Sequence, residues 1–239
     1  AVTLQYMPQC VTGYFGDGTS LGVRLHYFTE EQPLGTAGGV KQCMDFLGDE
    51  DFLVISGDAV CDLDLKAAIE FHAARRAAAT LVLYRHPKPL EYGLVLTGET
   101  GRVERFIEKP GWGEVFTNMV NTGIYVLSRR AMEQVPEGRP FDFARDLFPA
   151  LLAGGEALYG TAPKGYWCDM GDCAAYLGCV ADALSGKIRL DLGVPLAAPG
   201  IWCAGPLPQN VELVPPCYLG PHTQVGEGSL LGPNVVLGA

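Results

Sequence analysis

The C-terminal part of the chain carries an aliphatic side chain at every sixth position, and this repeat restricts the possible folds more than any other feature of the sequence. It runs without interruption through Ile201, Leu207, Leu213, Leu219, Val225, Leu231 and Leu237. Glycine follows each of the last four positions. A helix or a β-sandwich does not have this period, whereas three six-residue steps complete one triangular coil of a β-solenoid. We therefore predict that residues 191–239 begin a solenoid whose aliphatic ladder points inward.

The residues before the repeat predict an α/β domain, which we place at 1–190. Phe52-Leu53-Val54-Ile55 is a continuous apolar run, which indicates a buried strand of a parallel sheet. Apolar patterns predict further strands and helices along this part of the chain. The strands are expected at 80–84 and 118–127 and in a hairpin of 92–95 with 103–107, and the helices at 65–79, 143–152 and 173–184.

Composition argues against several classes of partner and location. The formal net charge is -10, and no cluster of Lys and Arg could follow a phosphate backbone, so neither nucleic acid nor a membrane is expected as a partner. No apolar run is long enough to span a bilayer, and we expect a cytoplasmic protein. The eight cysteines contain no C-x-x-C pair and are expected to be reduced. A metal cluster of Cys168, Cys173 and Cys179 is the alternative.

Two stretches are candidates for ligand binding. Asp58 follows the apolar run directly after Ser56 and Gly57, and open α/β sheets bind ligands at the carboxyl ends of their strands. The alternative for Asp58 is a residue that merely starts a turn. The glycine-rich stretch 35–39 precedes a helical pattern, so its backbone N–H groups are expected to be open to a ligand. An ordinary strand-to-helix turn explains that stretch equally well.

Six short segments, taken in order, resemble the sugar-1-phosphate nucleotidyltransferases, also called nucleotide-sugar pyrophosphorylases. They are Pro33-Leu34-Gly35-Thr36-Ala37-Gly38, Ser56-Gly57-Asp58, Glu91-Tyr92-Gly93, Glu108-Lys109-Pro110, Asn121-Thr122-Gly123 and Trp167-Cys168-Asp169-Met170-Gly171. The sequence of residues 165–171 and the hexapeptide repeat are most similar to those of the mannose-1-phosphate guanylyltransferases. The resemblance implies a Rossmann-like mixed sheet of the nucleotidyltransferase fold, followed by a left-handed hexapeptide-repeat β-helix.

The resemblance also implies a reaction. A nucleoside monophosphate passes from a nucleoside triphosphate to a sugar-1-phosphate, which gives a nucleotide sugar, such as GDP-mannose or a glucose analogue, and pyrophosphate. Asp58 and Asp169 would jointly hold Mg²⁺, since two carboxylates about 4 Å apart otherwise repel by roughly 4 kcal/mol. Lys109 is the third catalytic residue that the resemblance implies, beside Asp58 and Asp169. Because the attacking phosphate oxygen is already an anion, the reaction needs no general base.

The resemblance also implies two groups of binding residues in the matching segments. The nucleotide-binding residues implied by the resemblance are Gly35, Thr36, Ala37 and Gly38. The implied sugar-phosphate ligands are Gly93, Glu108, Lys109 and Asn121. Structural roles remain the alternatives, because Glu108 and Lys109 could form a surface ion pair and Asn121 could cap a strand edge.

The family's Gly-rich signature loop, with its arginine, would precede Ala1, so we expect a truncated piece of a longer enzyme with weak or no activity by itself. Hexapeptide solenoids usually assemble subunits, and the resemblance therefore implies a homo-oligomer. One alternative function is a non-catalytic regulatory subunit of the same fold that binds a nucleotide sugar. The other is a hexapeptide acyltransferase, which is disfavoured because His222 is the only histidine of the repeat region.

Overall fold

The computed structural model describes residues 1–238 and consists of two compact units. Unit 1 comprises residues 1–56 and 65–163, and unit 2 comprises 57–64 and the chain from 164 onward. This division differs from the predicted boundary between 190 and 191. Hydrogen bonds explain the difference, because the carboxylate of Asp62 accepts the backbone N–H groups of Tyr166 (2.6 Å) and Arg189 (2.9 Å). Residues 164–190 are thereby joined to 57–64.

The secondary structure follows the chain in this order. Up to residue 163 the elements are β1 (Val2–Leu4), α1 (Pro8–Phe15), β2 (Tyr27–Thr29), α2 (Gly35–Lys41), α3 (Met44–Leu47), β3 (Phe52–Ile55), β4 (Ala59–Cys61), α4 (Leu65–Arg75), β5 (Ala79–Arg85), β6 (Leu94–Thr97), β7 (Val103–Ile107), β8 (Met119–Leu127), α5 (Arg129–Met132), α6 (Phe148–Ala153) and β9 (Leu158–Thr161). From residue 164 they are β10 (Trp167–Asp169), α7 (Cys173–Leu184), β11 (Leu196–Ala198), β12 (Ile201–Cys203), β13 (Glu212–Leu213), β14 (Cys217–Leu219), β15 (Leu230–Leu231) and β16 (Val235–Leu237).

The main sheet of unit 1 is mixed and is built around β8. Its strand order is β7-β6-β8-β5-β9, and β3 pairs with the second half of β8. The β5–β9 pair is parallel, whereas β8 is antiparallel to β3, β5 and β6. A second, two-stranded sheet pairs β1 with β2 in parallel. The core of the unit is formed by large, fully buried side chains, among them Leu81, Leu127, Leu147, Phe148 and Leu151.

The strand at 52–55 corrects one prediction. The strand exists, but it is not a buried strand of a parallel sheet, because β3 runs antiparallel to β8 from Phe52 opposite Leu127 to Ile55 opposite Ile124. Ile55 is 48% exposed, so one face of the strand is not covered at its end. Four apolar side chains in a row therefore do not imply burial on both faces here.

The other strands and helices predicted for this part of the chain are present, but the helix predicted at 65–79 ends at Arg75, and Ala79 already begins β5. The hairpin is formed by β6 and β7, and the strands at 80–84 and 118–127 by β5 and β8. The helix predicted at 143–152 consists of a π-helical turn, Phe143–Leu147, followed directly by α6. The glycine-rich stretch differs from the prediction, because α2 begins at Gly35 and the glycines lie inside the helix.

From β12 onward the C-terminal strands of unit 2 pair in parallel, whereas β11 is antiparallel to β12. Leu213 pairs with Leu231 and Leu219 with Leu237, so these partners are 18 residues apart, which is three times the repeat of six. The ladder is not unbroken, because Ile201 pairs with Cys217, only 16 residues further on. Leu207 lies between β12 and β13 and is 40% exposed, whereas the prediction has it pointing inward. The described strands thus follow the repeat from β13 onward.

Candidate functional site

Two aspartates meet at one end of the β4–β10 ladder in unit 2. The antiparallel register pairs Cys61 with Trp167 and Ala59 with Asp169. Asp58 precedes Ala59 and is therefore the next residue beyond the last pair. The register thus places the backbone of the two predicted metal ligands at the same end of one ladder, although their segments are far apart in the sequence. Asp58 is exposed and Asp169 is half-buried.

The chemistry of this pair fits Mg²⁺. Magnesium usually binds proteins through one or two carboxylates and keeps several of its waters. Gly171 leaves room beside Asp169, since a Cβ built on Gly171 would lie 3.8 Å from both carboxylate oxygens of Asp169. Within residues 1–238 there is no group of three or more His, Cys, Asp and Glu side chains that could hold a metal ion, so the alternative cluster of three cysteines is not formed there. All eight cysteines are free thiols.

Three of the predicted sugar-phosphate ligands converge in unit 1. A Cβ built on Gly93 would lie 2.5 Å from Glu108 Oε2 and 3.4 Å from Asn121 Cβ. The N–H of Asn121 donates to the carbonyl oxygen of Gly93 at 2.8 Å. The convergence follows from the sheet, because Gly93 precedes β6, Glu108 follows β7, and Asn121 lies on β8, which neighbours β6. We call Gly93, Glu108 and Asn121 the sugar cluster.

The side chain of Asn121 is fixed by neighbours on its own strand. Its Nδ2 donates to the hydroxyl of Tyr125 at 3.0 Å, and its Oδ1 accepts the N–H of Gly123 at 3.3 Å. Burial raises the pKa of Tyr125, so the phenol stays protonated and is a dependable partner. An amide held from both ends has little freedom to rotate, which suits a residue that must present one orientation to a ligand.

Glu108 lies among charges of both signs. Burial raises the pKa of its carboxyl group, and the nearby carboxylate of Asp142 raises it further. The neighbouring Lys109 and Arg145 act in the opposite direction and lower it. Raised carboxyl pKa values are typical of functional sites, although structural clusters also produce them.

Lys109 is exposed and adopts a left-handed backbone conformation with φ of 46°. Side chains other than glycine seldom adopt this conformation, which costs of order 1–3 kcal/mol and is often found at ligand-binding positions. The exposed ammonium group directly follows the sugar cluster in the chain. It is therefore available to a bound phosphate from a position that the backbone fixes.

The predicted nucleotide-binding segment packs against residues 141–143 of the same unit. The N–H groups of Ala37 and Gly38 both donate to the carbonyl oxygen of Phe141 at 3.0 Å. The expectation that these amides are open to a ligand is therefore wrong. Gly35 is required here, because its φ is +71° and a Cβ would lie 2.7 Å from the same carbonyl oxygen. Thr36 is exposed, and its hydroxyl donates to Asp142 Oδ2 at 2.7 Å.

Asp142 is the residue of this site that the sequence alone does not identify. The sequence marks it only as the start of a helix, and it does cap the π-helical turn by accepting the N–H groups of Ala144 and Arg145. Its hydrogen bond with Thr36 and its effect on the pKa of Glu108 depend on segments far away in the chain. An N-cap aspartate is the only sequence signal that could have drawn attention to it.

The histidines at positions 72 and 222 have different surroundings. His72 is 1% exposed, and its Nδ1 lies 2.9 Å from Thr80 Oγ1. These surroundings are those of a residue packed in the core. His222 is exposed, in a left-handed conformation with φ of 62°, at a cavity of about 270 Å³ in unit 2. Cys203, Leu219 and Val225 also line this cavity.

No helix of the described residues is both long and apolar enough to cross a membrane.

The sequence matches the family model described as Nucleotidyl transferase over residues 1–186. This match covers most of the chain, and the protein therefore belongs to the nucleotidyl transferase family. Membership confirms the resemblance drawn from the six segments, and the mixed α/β fold agrees with it. The matched region ends at residue 186, directly after α7, and includes both aspartates and the sugar cluster.

Several known proteins are similar to this chain. A mannose-1-phosphate guanylyltransferase of Mycobacterium tuberculosis is 34% identical over 238 residues, which cover 97% of this chain and 63% of that protein. A UTP–glucose-1-phosphate uridylyltransferase of Synechocystis is 30% identical over 254 residues, covering 98% of this chain and 65% of that protein. The crystal structure of HddC from Yersinia pseudotuberculosis superposes with a TM-score of 0.61 at 25% identity and covers 74% of each chain. The chain thus spans less than two thirds of the length of these two sequence relatives.

Proposed function

We propose that this protein transfers a nucleoside monophosphate from a nucleoside triphosphate to a sugar-1-phosphate and releases pyrophosphate. The observation that carries the proposal is the β4–β10 register, which sets Asp58 beside Asp169 within a chain of the nucleotidyl transferase family. The names of the relatives favour mannose-1-phosphate or glucose-1-phosphate as the acceptor and leave the base open. GDP-mannose is the product that we test first.

In the proposed reaction an oxygen of the sugar phosphate attacks the α-phosphorus of the triphosphate in line, and the bond to the pyrophosphate oxygen breaks. The P–O bond that forms replaces the one that breaks, and no proton has to be removed because the attacking phosphate oxygen is already an anion. Catalysis then depends on position and on charge neutralisation. Lys109 would bind the acceptor phosphate, while the sugar cluster would accept and donate hydrogen bonds to the sugar hydroxyls.

Asp58 and Asp169 would hold Mg²⁺, which supplies positive charge against the phosphates when it is bound. The chain's own part would be to supply one carboxylate from each strand at the same end of the β4–β10 ladder. Thr36 and its neighbours would contact the nucleotide through side-chain and carbonyl groups, since the amides of Ala37 and Gly38 already have a partner.

We further propose that the parallel strands from β13 onward begin a left-handed hexapeptide β-helix and that the protein acts as a homo-oligomer in the cytoplasm. The 18-residue pairing of β14 with β16 supports the coiled repeat. Sedimentation equilibrium of the protein tests the oligomeric state, and a mass equal to that of one chain would contradict it.

The function is tested with a panel of four nucleoside triphosphates against mannose-1-phosphate and glucose-1-phosphate. The protein that contains these residues is assayed for pyrophosphate release with and without Mg²⁺. We expect one nucleotide and one sugar phosphate to dominate and release to stop when Mg²⁺ is chelated. Binding of a nucleotide sugar without any turnover would instead favour a regulatory subunit, and turnover of acetyl-CoA would favour an acyltransferase.

A further inference from the structure

Trp112 is the most exposed large apolar side chain of the described residues, with 87% of its surface open to solvent. It lies three residues after Lys109, in the connection of residues 108–118 between β7 and β8. Single exposed apolar residues are common on protein surfaces and need no explanation by themselves. The position of Trp112 distinguishes it, because this connection begins and ends beside the sugar cluster.

The strand register places the two ends of the connection on either side of β6. Leu94, the first residue of β6, pairs with Ile107 at the end of β7 and with Val120 near the start of β8. Neighbouring strands are about 4.8 Å apart, so these two ends are roughly 10 Å from each other. Gly93 of the sugar cluster directly precedes Leu94, and its carbonyl oxygen accepts the N–H of Asn121 at 2.8 Å. The connection therefore starts and finishes next to the sugar cluster.

Hydrogen bonds hold the backbone around Trp112 in a tight turn. The N–H of Gly111 donates to Glu114 Oε2 at 2.9 Å, and the N–H of Glu114 donates to the carbonyl oxygen of Gly111 at 2.9 Å. Pro110, between the turn and Lys109, is buried and anchors it. Three residues of chain span at most about 11 Å, so the Cα atom of Trp112 lies within that distance of the Cα atom of Lys109. The backbone is thus fixed near the phosphate ligand, while the indole stays exposed.

The sugar cluster offers polar groups to a ligand, and a sugar needs apolar contact as well. Glu108 and Asn121 carry a carboxylate and an amide, which suit hydroxyl groups. A hexose also has apolar C–H faces, and small-molecule sites are lined mainly by apolar and aromatic side chains. Phe106 reaches the cluster from the core, but its ring packs against Phe148 with 5.9 Å between the ring centroids. An exposed indole close to Lys109 can supply the apolar contact.

We propose that Trp112 binds the sugar of the sugar-1-phosphate, with its indole on an apolar C–H face of the sugar ring while Lys109 binds the phosphate. The inference rests on the proposed function, because it takes the sugar cluster as the acceptor site. Tryptophan suits this role, since it covers a large area of a ligand and only two side-chain torsions have to be ordered. The contact removes apolar surface of both partners from water and thereby favours the bound sugar.

Three variants separate the aromatic ring from the rest of the connection. Trp112→Ala removes the aromatic surface, and Trp112→Phe keeps a smaller ring. The matched control is Val115→Ala, which shortens another exposed apolar side chain of the same connection. Because both positions are exposed, the melting temperature of all three variants should stay close to that of the wild type.

The first measurement is the steady-state rate of pyrophosphate release, with the sugar-1-phosphate and the triphosphate varied in turn. We expect Trp112→Ala to raise the KM for the sugar-1-phosphate about tenfold and Trp112→Phe to raise it about two- to threefold. The KM for the triphosphate should not change, and Val115→Ala should behave like the wild type. A rise in the KM for the triphosphate alone, or no change in either KM, would overturn the inference.

The second measurement is tryptophan fluorescence. The difference between the spectra of the wild type and Trp112→Phe isolates Trp112 from the other two tryptophans, Trp167 and Trp202. An indole that leaves water emits at shorter wavelength, so titration with mannose-1-phosphate or glucose-1-phosphate should shift the difference spectrum to the blue. A spectrum that responds to protein concentration and not to the sugar phosphate would mean that a second copy of the chain covers Trp112, and would overturn the inference.

Calorimetry separates failure of this inference from failure of the proposed function. If the wild type binds a sugar-1-phosphate and Trp112→Ala binds it with equal affinity, the role of Trp112 is wrong and the proposed function stands. If the wild type binds neither sugar phosphate, with or without a triphosphate, the proposed function fails and the inference fails with it.

Discussion

Gly93 is the single residue whose replacement tests the sugar cluster most sharply. Gly93→Ala would place a carbon 2.5 Å from Glu108 Oε2 and 3.1 Å from Phe106 Cζ. The carboxylate is the far end of a flexible side chain, so it can swing away at little cost to the fold but loses its position for the ligand. We expect the KM for the sugar-1-phosphate to rise about tenfold, with the KM for the nucleotide and the melting temperature nearly unchanged.

The matched control for this prediction is Gly113→Ala, because a Cβ at Gly113 meets no atom within 4 Å. Steady-state kinetics with each substrate varied in turn provides the measurement. If Gly93→Ala and Gly113→Ala both behave like the wild type, Glu108 does not contact the sugar.

His72 provides a prediction about stability and pH. Burial lowers its pKa below the ordinary 6.5, and this effect outweighs the attraction of Asp51, whose Oδ2 lies 3.4 Å from Nε2. Below about pH 6.5 the imidazole of His72 takes up a proton in the unfolded chain, whereas in the folded protein it stays neutral to a lower pH. The free energy of unfolding should therefore fall as the pH drops from 7.5 to 5.5, by at most about 1.4 kcal/mol per pH unit from this one group.

Urea unfolding of the wild type and of His72→Gln at these two pH values measures the effect. The variant should be less stable at pH 7.5 because Thr80 loses its partner, but it should lose less stability on acidification. If both proteins lose the same amount between pH 7.5 and 5.5, His72 does not cause the dependence.

At the scale of elements, the structure of unit 2 predicts that two leucines of the six-residue repeat contribute differently to stability. Leu219 is 2% exposed on β14 and pairs with Leu237, whereas Leu207 is 40% exposed outside the strands. Leu219→Ala should lower the free energy of unfolding by about 2–5 kcal/mol, and Leu207→Ala by less than about 1 kcal/mol. Thermal unfolding followed by circular dichroism compares them, and equal losses would show that the six-residue period, not the observed register, describes the packing.

Elements with local signals could be predicted from the sequence. The beginning of α7 is set by Asp172, whose Oδ1 accepts the N–H of Ala175 at 2.7 Å, and Gly186 follows its end with φ of 77°. The hairpin of β6 and β7 likewise depends on neighbouring residues. The direction of β3 could not be predicted, because its partner β8 lies far along the chain and an apolar run does not show which way that partner runs.

At the scale of the whole molecule, the same limit explains which parts of the site were predicted. The family motifs identified Asp58 and Asp169, but the register that sets them side by side is a pairing between distant segments. The grouping of residues 57–64 with unit 2 depends on a distant pairing as well, since β4 pairs with β10. The occupied amides of Ala37 and Gly38 also depend on a distant residue, Phe141.

The central claim is that the two aspartates of the β4–β10 ladder support nucleotidyl transfer with Mg²⁺. Asp58→Asn and Asp169→Asn remove one charge each without changing the size of the side chain. Asp172→Asn is the matched control, because Asp172 is an N-cap of α7 and Asn serves that role as well as Asp.

The most direct measurement is kcat for sugar-1-phosphate-dependent pyrophosphate release across a Mg²⁺ titration, in the protein that contains these residues. Asp58→Asn and Asp169→Asn should each lower kcat about 100-fold or more and raise the Mg²⁺ concentration needed, while Asp172→Asn should stay within about twofold of the wild type. Wild-type kcat and Mg²⁺ dependence in both Asp58→Asn and Asp169→Asn would contradict the account.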